Sequence, residues 1–326
     1  MKAVIPVAGL GSRLRPHTFS APKAMVPVAG KPILSHILDD LVDLGVQELI
    51  LIVGQMSDQI RSFVDSRYSF QTQYVIQEQT LGIAHALHQC RNLMAEQPIL
   101  IVLGDTVYQS DFSVFRNELS KSAIGVKSLK GDLRRFGIVE VSEGQVTRLE
   151  EKPENPASDL VLAGVYYIND PNLLVDCVSQ LILDRRTTHG EYQLTDALQI
   201  MVDRGHPMTV FTVDEWYDCG TVERLLSANR QLLTIHEGPI LGERDFVIIP
   251  PVSIAKDASI SSSVIGPHVT IAEGVTIERS VVSDSIICEQ AVLQDCRLEE
   301  SVVGANALVR GVAAKVNIGA SSELTT

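Results

Sequence analysis

The sequence is short of positive charge and of aromatic residues. Its 326 residues include 27 lysines and arginines against 40 aspartates and glutamates, which gives a formal net charge of −13 at pH 7. Proteins that bind nucleic acids or anionic membranes through charge usually carry a basic excess, so this balance argues against both kinds of partner. Any anion-binding site must therefore be a local cluster of basic residues.

Cysteines are few, and long apolar runs are absent. The five cysteines, at positions 90, 177, 219, 288 and 296, form no Cys-x-x-Cys pair and no ligand cluster, which favours buried, reduced thiols. No apolar run reaches membrane-spanning length, and Pro6 and Gly9 interrupt the N-terminal one before it could form a secretory signal. We therefore expect a soluble protein of the reducing cytoplasm.

Two familiar phosphate-binding motifs are also missing from the glycine-bearing stretch near the N-terminus. The P-loop closes on Gly-Lys-Ser/Thr, whereas this stretch has Gly11-Ser12-Arg13. The dinucleotide fingerprint has a third glycine where Leu14 stands. The stretch is therefore neither a P-loop nor a dinucleotide-binding turn.

An apolar strand followed at once by a turn with nearby cations remains. Gly9 and Gly11 allow backbone angles and close approaches that other residues do not. Arg13, Arg15 and Lys23 supply guanidinium and ammonium groups, the usual complements of phosphate oxygens. This pattern suits a triphosphate, but a structural turn with solvated basic residues explains it too, and the residues alone leave both readings open.

Segments with helical and strand spacing alternate over the first hundred residues. The predicted helices are 31–44, 57–67 and 81–94, and the predicted strands are 48–54, 73–77 and 98–103. Such alternation predicts an α/β, Rossmann-like sheet that is mainly parallel, with ligands at the carboxyl ends of its strands. Because Gly9, Gln77 and Asp105 all follow such ends, we expect them to serve one site.

The second half of the chain changes character twice. Residues 136–151 alternate around Glu143-Gly144 and predict an antiparallel hairpin, so the sheet should be mixed. After a predicted strand at 208–213 and a predicted helix at 221–236, Gly238-Pro239 breaks the pattern. We therefore predict a catalytic domain at 1–237 and a second domain at 238–326.

Aliphatic residues recur in steps of five or six through the second domain, with small residues between them. They are Ile254, Ile260, Ile265, Ile271, Ile277, Val282, Ile287, Leu293, Leu298, Val303 and Val309. This hexapeptide-like repeat predicts a left-handed parallel β-helix with aliphatic residues stacked inside. The repeat contains one histidine, His268, so a scaffold that makes oligomer contacts is favoured over an active tail.

Gly9-Leu10-Gly11-Ser12-Arg13-Leu14-Arg15-Pro16, followed by Pro22-Lys23, resembles the signature of the sugar-1-phosphate nucleotidylyltransferase family. Further motifs extend this resemblance over nearly the whole chain: Gln77 to Ala86, Leu103-Gly104-Asp105, Glu150-Glu151-Lys152-Pro153, Ala163 to Tyr167, and Trp216 to Thr221. The resemblance implies an enzyme that makes a nucleotide sugar and releases pyrophosphate.

The resemblance also implies roles for individual residues. Those implied for the nucleotide are Ala8, Gly9, Leu10, Gly11, Arg13, Gln77 and Gly82. Those implied for the sugar phosphate are Gly137, Glu151, Lys152, Gly164 and Tyr166. Those implied for catalysis are Arg13, Lys23, Asp105, Lys152 and Asp218, with Asp105 and Asp218 as ligands of Mg²⁺. A carboxamide such as that of Gln77 suits the imide edge of uracil or thymine.

The base and the sugar stay open. Ala8-Gly9 and Ser12 depart from the usual thymidylyl pattern, and Val7 to Gly11 is nearer the bacterial UTP–glucose branch of the family. Arg13 to Pro16 and the β-helical tail, however, resemble the archaeal-type thymidylyl and guanylyl enzymes. We expect glucose-1-phosphate and dTTP or UTP as substrates of a homo-oligomer. The alternatives are a non-catalytic regulatory subunit of the same fold and a bifunctional enzyme with an acetyltransferase tail.

Overall fold

The chain folds into two compact units, each assembled from separate stretches of sequence. The computed structural model describes residues 1–95, 97–116, 119–233 and 245–325. The first unit comprises Met1–Gly9, Ile37–Gly104 and Tyr108–Trp216, and the second comprises Leu10–His36, Asp105–Val107 and Tyr217–Thr326. The boundary predicted at 237/238 lies outside the described residues and stays a prediction.

Strands and helices alternate along residues 1–233. The strands are β1 (Lys2–Pro6), β2 (Pro27–Val28), β3 (Lys31–Pro32), β4 (Glu48–Val53), β5 (Gln71–Ile76), β6 (Ile99–Val102), β7 (Thr106–Gln109), β8 (Ser122–Ser128), β9 (Gly137–Ser142), β10 (Gln145–Glu151), β11 (Leu160–Ile168), β12 (Met208–Thr212) and β13 (Glu215–Asp218). The helices are α1 (Ile33–Asp43), α2 (Ser57–Arg67), α3 (Ile83–Gln89), α4 (Arg91–Met94), α5 (Pro171–Leu183), α6 (Leu194–Asp203) and α7 (Val222–Leu233). Short 3₁₀ turns lie at Ser12–Leu14, His17–Phe19, Lys23–Met25 and Phe112–Arg116.

A mixed sheet forms the frame of the first unit. Its main path runs β10-β9-β11-β6-β1-β4-β5, with β8 beside β11 and β12 beside β8. The neighbours β6, β1, β4 and β5 are parallel, and the β9–β10 hairpin is antiparallel. The central strands β1 and β4 are almost wholly apolar and buried because helices and loops cover both faces of a parallel sheet. The predicted α/β sheet of mainly parallel strands is confirmed.

Most element boundaries fall within two or three residues of their predicted places, with one clear exception. The single helix predicted at 81–94 is wrong, because α3 and α4 are separate helices. Cys90 interrupts them with φ −104° and ψ 14°, while its buried thiol donates to the carbonyl of Leu87 at 3.3 Å. In the predicted hairpin turn, Glu143 and Gly144 both have positive φ, as in a tight two-residue hairpin loop.

Three parallel sheets of five short strands form the C-terminal part of the second unit. The strands are β14 (Val247–Ile248), β15 (Val252–Ile254), β16 (Ser259–Ser261), β17 (Val264–Ile265), β18 (Val269–Ile271), β19 (Thr276–Glu278), β20 (Val281–Ser283), β21 (Ile286–Ile287), β22 (Val292–Gln294), β23 (Arg297–Glu299), β24 (Val302–Val303), β25 (Leu308–Arg310), β26 (Ala313–Ala314), β27 (Asn317–Ile318) and β28 (Glu323–Thr325). Every third strand pairs in parallel, so each sheet forms one side of the predicted left-handed β-helix.

The coils of the β-helix are slightly shorter than three strict hexapeptides. Val264 pairs with Val281 and Val281 with Arg297, so one coil takes 17 residues and the next takes 16. The predicted aliphatic residues from Ile265 to Val309 are buried in a continuous core, while Ile254 and Ile260 at its first coil are only partly buried. This stacking explains the steps of five or six in the sequence.

A second core joins the N-terminal stretch to the β-helix. Its buried residues include Leu14, Val26 and Ile33 from the stretch 10–36, Leu225 and Leu232 from α7, and Ile286, Cys288 and Val302 from the β-helix. The buried side chain of Asn229 ties the same parts together, since its oxygen accepts from Ala29 N at 2.9 Å and from Thr270 Oγ1 at 2.6 Å. Residues 10–36, which include Gly11, therefore pack against the β-helix.

No helix among residues 1–95, 97–116, 119–233 and 245–325 combines the length and apolar character needed to cross a membrane.

Candidate active site

The two glycines of the N-terminal turn differ in what they do. Gly11 has φ +59°, and a Cβ there would lie 2.9 Å from Thr18 Cγ2 and 3.0 Å from Lys23 Cβ, so the fold itself requires glycine. Thr18 fixes this turn by donating its hydroxyl to the Gly11 carbonyl at 2.8 Å. Gly9 is not among the glycines with positive φ, and no described residue beyond its chain neighbours lies within 4 Å of where a Cβ would be. Only Gly9 leaves open space beside the backbone.

The residues next to these glycines differ in how exposed they are to solvent. Ala8 is buried at the end of the segment that follows β1, whereas Leu10 is exposed. Arg13 and Arg15 are exposed on the turn, and the Arg15 guanidinium lies 4.7 Å from the ring centre of Phe19. Two cations therefore stand on a short stretch whose backbone is held from beneath by buried residues.

Lys23 and Asp105 form an ion pair within the second unit. The Lys23 Nζ lies 2.9 Å from Asp105 Oδ2, and Thr106 Oγ1 donates to Asp105 Oδ1 at 3.3 Å. The lysine side chain is almost buried, whereas about half of the aspartate side chain is exposed. The carboxylate is thus held by its neighbours and still open to a ligand.

The segment that carries Asp218 adjoins Asp105, and Asp218 has a cation of its own. The amide of Cys219 donates to the Asp105 carbonyl at 3.3 Å, which brings the two segments together. Asp218 Oδ2 pairs with Arg224 Nη1 from the first turn of α7. Arg224 could not be found from the sequence, because no motif or spacing links it to Asp218.

Gly220 is a further residue that the motifs did not single out. A Cβ at this position would lie 2.6 Å from Asp218 Oδ1 and 3.3 Å from Arg13 Nη2. Glycine therefore lets the Arg13 guanidinium reach the segment that carries Asp218. The neighbouring Cys219 is no nucleophile, since burial raises the pKa of its thiol to about 12.

The donor set in this part of the molecule fits Mg²⁺ only with help from a substrate. The described residues contain no group of three or more histidine, cysteine, aspartate or glutamate side chains placed to hold a metal ion. Asp105 and Asp218 supply two hard carboxylates, and Mg²⁺ in phosphoryl-transfer sites is commonly held by one or two carboxylates together with substrate phosphates and water. These two residues therefore fit an ion that arrives with a nucleotide.

Gln77 follows β5 in the first unit and is buried in a defined orientation. Its backbone amide donates to the Val53 carbonyl at 2.8 Å. Its side-chain nitrogen lies 3.4 Å from the Gly82 carbonyl and 3.2 Å from His85 Nδ1. Since a carbonyl can only accept, the group that faces Gly82 is the amide NH₂. This leaves Oε1 as the atom of Gln77 that can accept a hydrogen bond from a ligand.

Gly82 is fixed as tightly as Gly11. Its φ is +109°, and a Cβ there would lie 2.4 Å from the carbonyl oxygen of Tyr192. The Tyr192 backbone also accepts from Ala84 N at 3.0 Å and donates to the Leu81 carbonyl at 2.8 Å. The 189–196 segment therefore clamps the turn on which Gly82 lies.

Glu151 and Lys152 form a second acid–base pair, in the first unit. Lys152 Nζ lies 3.1 Å from Glu151 Oε1, and the other carboxylate oxygen of Glu151 accepts from Thr195 Oγ1 at 2.6 Å. Lys152 has φ +47°, and its amide donates to the Phe136 carbonyl at 3.0 Å. Gly137 gives the carboxylate room, since a Cβ there would lie 3.1 Å from Glu151 Oε2.

A cavity of about 550 Å³ opens beside this pair. Its lining includes Glu151, Lys152, Arg186, His189 and Asp196. Burial raises the pKa of the Asp196 carboxyl, while the hydroxyl of Thr188, 2.7 Å away, opposes that rise. The volume lies within the usual range of small-molecule sites.

Gly164 and Tyr166 lie in packed, buried positions rather than on an open surface. Gly164 has φ +89°, and a Cβ there would lie 2.7 Å from the Tyr108 hydroxyl, which donates to the Gly164 carbonyl at 3.2 Å. Tyr166 belongs to the main core, and burial together with the nearby charge of Glu151 raises the pKa of its hydroxyl. Their contact with a sugar stays a prediction.

The predicted residues thus fall into two groups. The first unit holds Ala8, Gly9, Gln77, Gly82, Gly137, Glu151, Lys152, Gly164 and Tyr166, and the second holds Leu10, Gly11, Arg13, Lys23, Asp105 and Asp218. Within each unit the structure brings key members together: Gln77 with Gly82, Glu151 with Lys152, and Lys23 with Asp105 beside Asp218.

Known proteins resemble this chain over most of its length. The family model described as nucleotidyl transferase matches residues 2–235. A glucose-1-phosphate thymidylyltransferase from Streptomyces griseus is 31% identical over 332 residues, covering 93% of this chain and 92% of the relative. A UTP–glucose-1-phosphate uridylyltransferase from Haloferax volcanii is 32% identical over 240 residues, which is 71% of this chain and 96% of the relative.

The fold has solved counterparts as well. The crystal structure of a UDP-glucose pyrophosphorylase in complex with UDP-glucose matches with a TM-score of 0.64 at 22% identity, over 72% of this chain and 99% of that one. At this identity the match supports the fold alone. The family model matches well over half of the chain, and the matched range contains the motifs at Gly9–Pro16, Asp105 and Lys152. This chain therefore belongs to the nucleotidyl transferase family.

Proposed function

We propose that this chain is a Mg²⁺-dependent nucleotidylyltransferase that joins a hexose-1-phosphate, glucose-1-phosphate first among the candidates, to dTTP or UTP and releases pyrophosphate. Family membership and the two enzyme relatives support the reaction class and these substrates. The observation that carries the proposal lies in the second unit, where adjoining segments carry Asp105 and Asp218 and each carboxylate is paired with a cation, Lys23 or Arg224. A non-catalytic relative would have no need of this set.

The reaction asks the protein mainly to hold two anions together. An oxygen of the sugar phosphate attacks the α-phosphorus, a new P–O bond forms, and the bond to the departing pyrophosphate breaks. The attacking group is already an anion, so no general base is required. Arg13 would hold the triphosphate, Lys23 the reacting phosphates, and Lys152 the acceptor phosphate. Positioning and charge neutralisation then supply most of the rate.

Asp105 and Asp218 would hold the metal ion. When bound, Mg²⁺ neutralises charge that develops on the phosphate oxygens. Lys23 and Arg224 keep the two carboxylates in place and reduce their mutual repulsion. Both cations are thus part of the same electrostatic arrangement as the carboxylates.

Gln77 would read the base. Its NH₂ group faces Gly82 and His85, so Oε1 is left to accept the N3–H of uracil or thymine. Cytosine carries an acceptor at N3 and would face this oxygen without a hydrogen bond, which costs free energy at a buried position. We therefore propose a preference for bases with an N3–H group.

Glu151 and Lys152 would take the sugar phosphate. Thr195 holds the carboxylate of Glu151, which is suited to accept sugar hydroxyls, while the Lys152 ammonium is exposed for the phosphate. The neighbouring cavity is large enough for a hexose phosphate.

We also propose a homo-oligomeric enzyme of the cytoplasm. All five cysteines are free and buried, as suits a reducing compartment, and the β-helix offers a rigid scaffold for subunit contacts. Sedimentation equilibrium of the full chain would contradict the oligomer if only a monomer appeared at micromolar concentration.

Pyrophosphate release tests the reaction and the base together. We expect dTTP or UTP with glucose-1-phosphate to be the best pair in a panel of five nucleoside triphosphates and several sugar-1-phosphates, with activity lost when EDTA removes the metal. Gln77→Ala should raise the KM for the preferred triphosphate by about tenfold to a hundredfold, since one or two buried hydrogen bonds of about 1 to 1.5 kcal/mol each are lost.

Gln73→Ala is the matched control, because Gln73 is an exposed glutamine on β5, the strand that Gln77 follows. Its KM should stay close to that of the parent protein. No pyrophosphate from any pair would contradict the enzymatic function, and a preference for purine triphosphates would contradict the assignment of Gln77.

A further inference from the structure

The phosphate-binding turn, Gly11 to Arg15, rests on the last coils of the β-helix. Leu14, the fourth residue of the turn, is fully buried in the core that also contains Ile286, Cys288 and Val302. Arg13 and Arg15 flank Leu14 and point two exposed cations away from a buried anchor. A shift of the β-helix surface would therefore move these cations.

A polar contact follows directly after the turn. His17 is only 5% exposed, and its Nε2 lies 2.6 Å from Asn317 Oδ1 on β27. Since an amide oxygen can only accept, Nε2 carries the proton in this contact. Beside it, Gly319 lets Pro16 approach, because a Cβ at 319 would lie 3.0 Å from Pro16 Cβ. The His17–Asn317 hydrogen bond and the close packing of Pro16 on Gly319 both hold the turn against this coil.

Thr18, the residue after His17, links the His17–Asn317 contact to the turn at Gly11. Thr18 follows His17 in the same 3₁₀ turn, and its hydroxyl donates to the Gly11 carbonyl at 2.8 Å. Its methyl group lies against the space that any side chain at position 11 would need. Asn317, His17 and Thr18 thus form a continuous chain of contacts that ends at Gly11.

We propose that Asn317 and His17 are positioning residues through which the β-helix sets the conformation of the phosphate-binding turn, so that the tail takes part in triphosphate binding. The inference rests on the proposed role of Arg13 in holding the triphosphate. The tail is then a component of the nucleotide site by way of the turn it supports, in addition to any role as a scaffold.

Equilibrium binding of UTP and dTTP to the full chain tests this proposal. Asn317→Leu keeps the size of the side chain and removes the acceptor, and His17→Phe keeps a ring and removes the donor. Each should raise the triphosphate Kd by about tenfold, which corresponds to ~1.4 kcal/mol. The KM for the sugar-1-phosphate should change by less than about twofold. Asn317→Asp keeps an acceptor oxygen and should bind triphosphate nearly as well as the parent protein.

Gln294→Leu is the matched control, since it removes a carboxamide from the β-helix that pairs with Arg310 rather than with the turn. Its triphosphate Kd should not change. An unchanged Kd in both Asn317→Leu and His17→Phe would overturn the proposal. So would a parallel loss of affinity for both substrates with a lowered Tm, which is the result of general destabilisation.

Arg13→Ala separates this inference from the function on which it rests. If Arg13→Ala weakens triphosphate binding and Asn317→Leu and His17→Phe do not, only the positioning role is wrong. If Arg13→Ala leaves binding intact, the role proposed for Arg13 is wrong, and the positioning inference falls with it.

Discussion

Two lysine–carboxylate pairs in this protein differ in which side chain is exposed to solvent. In the second unit the lysine is the hidden member, with 10% of the Lys23 side chain exposed against 51% of Asp105. In the first unit the acid is hidden, with 11% of the Glu151 side chain exposed against 41% of Lys152. The ion pairs are similar in length, at 2.9 and 3.1 Å, so they differ in which charge faces solvent.

The hidden member of each pair is fixed, and the exposed member is available. Lys23 packs under the glycine turn, and Glu151 is held by the Thr195 hydroxyl. An exposed carboxylate suits a cation, whereas an exposed ammonium suits a phosphate. The difference in exposure therefore supports the proposed roles of Asp105 at the metal and Lys152 at the acceptor phosphate, and each proposal can be tested separately.

The largest effect is expected at the exposed carboxylates. Asp105→Asn or Asp218→Asn removes a charge from the proposed metal site, so kcat should fall by about a hundredfold or more, on the order of 3 kcal/mol. Because the proposal places both residues on one ion, the double variant should be little worse than the poorer single one. Turnover at saturating Mg²⁺ and Tm should be measured for all three.

A purely structural role predicts the opposite pattern for these variants. Each aspartate would then only stabilise a turn, so the substitution would cost about 1 kcal/mol of stability and leave turnover nearly intact. Near-parental kcat in either single variant would exclude the shared metal site.

An intermediate effect is expected at the exposed lysine. Lys152→Met keeps the aliphatic stem and removes the charge, so the KM for the sugar-1-phosphate should rise by about tenfold to a hundredfold, as for a charged hydrogen bond of ~1.5 to 3 kcal/mol. The KM for the triphosphate should change little. Lys130→Met, at an exposed lysine of the same unit, should leave both constants unchanged. A rise confined to the triphosphate KM would reverse the assignment of the two pairs.

The smallest effect is expected in the pH dependence of stability, at buried His17, whose partner Asn317 is uncharged. Burial lowers the pKa of His17 below its ordinary 6.5, and the hydrogen bond to Asn317 opposes this only in part. The unfolded state then binds the proton more readily, so the stability that neutral His17 contributes is complete above pH 6.5 and is lost as the pH falls below that value.

Urea unfolding at several pH values can isolate this contribution. Between pH 7.5 and 5, the parent protein should lose more free energy of unfolding than His17→Gln, by on the order of 1 kcal/mol or less. Since other histidines titrate in both proteins, only the difference between them reports on His17. Equal losses would show that His17 keeps its ordinary pKa in the folded state.

The sequence predicts those parts of the fold whose pattern is local. Alternating apolar segments predict the mainly parallel sheet, and aliphatic residues in steps of five or six predict the β-helix, because each pattern repeats within a few residues. The ends of strands in such a sheet also predict where Gln77 and Asp105 lie. The break at Cys90 was not predictable, since the helical spacing of apolar residues continues through it.

Contacts between distant segments were beyond the reach of the sequence. Arg224 pairs with Asp218, and Thr195 holds Glu151, only because separate elements pack together. The mounting of residues 10–36 on the β-helix likewise depends on tertiary packing, since Leu14 and Val302 are far apart in the chain. The motifs identified both members of each lysine–carboxylate pair, but not the contacts of Thr195 with Glu151 and of Arg224 with Asp218.

The difference between Gly9 and Gly11 has a consequence for how variation in this family can be interpreted. Alanine at position 11 would be removed by selection for folding, because its methyl group would collide with Thr18 and Lys23. Alanine at position 9 would place its methyl group at least 4 Å from every described residue except its two chain neighbours, so we expect selection against it to come from a bound molecule. Among descendants of this sequence, replacement of glycine at position 9 would indicate that the ligand is no longer bound. Replacement at position 11 would indicate that the backbone of the turn has changed.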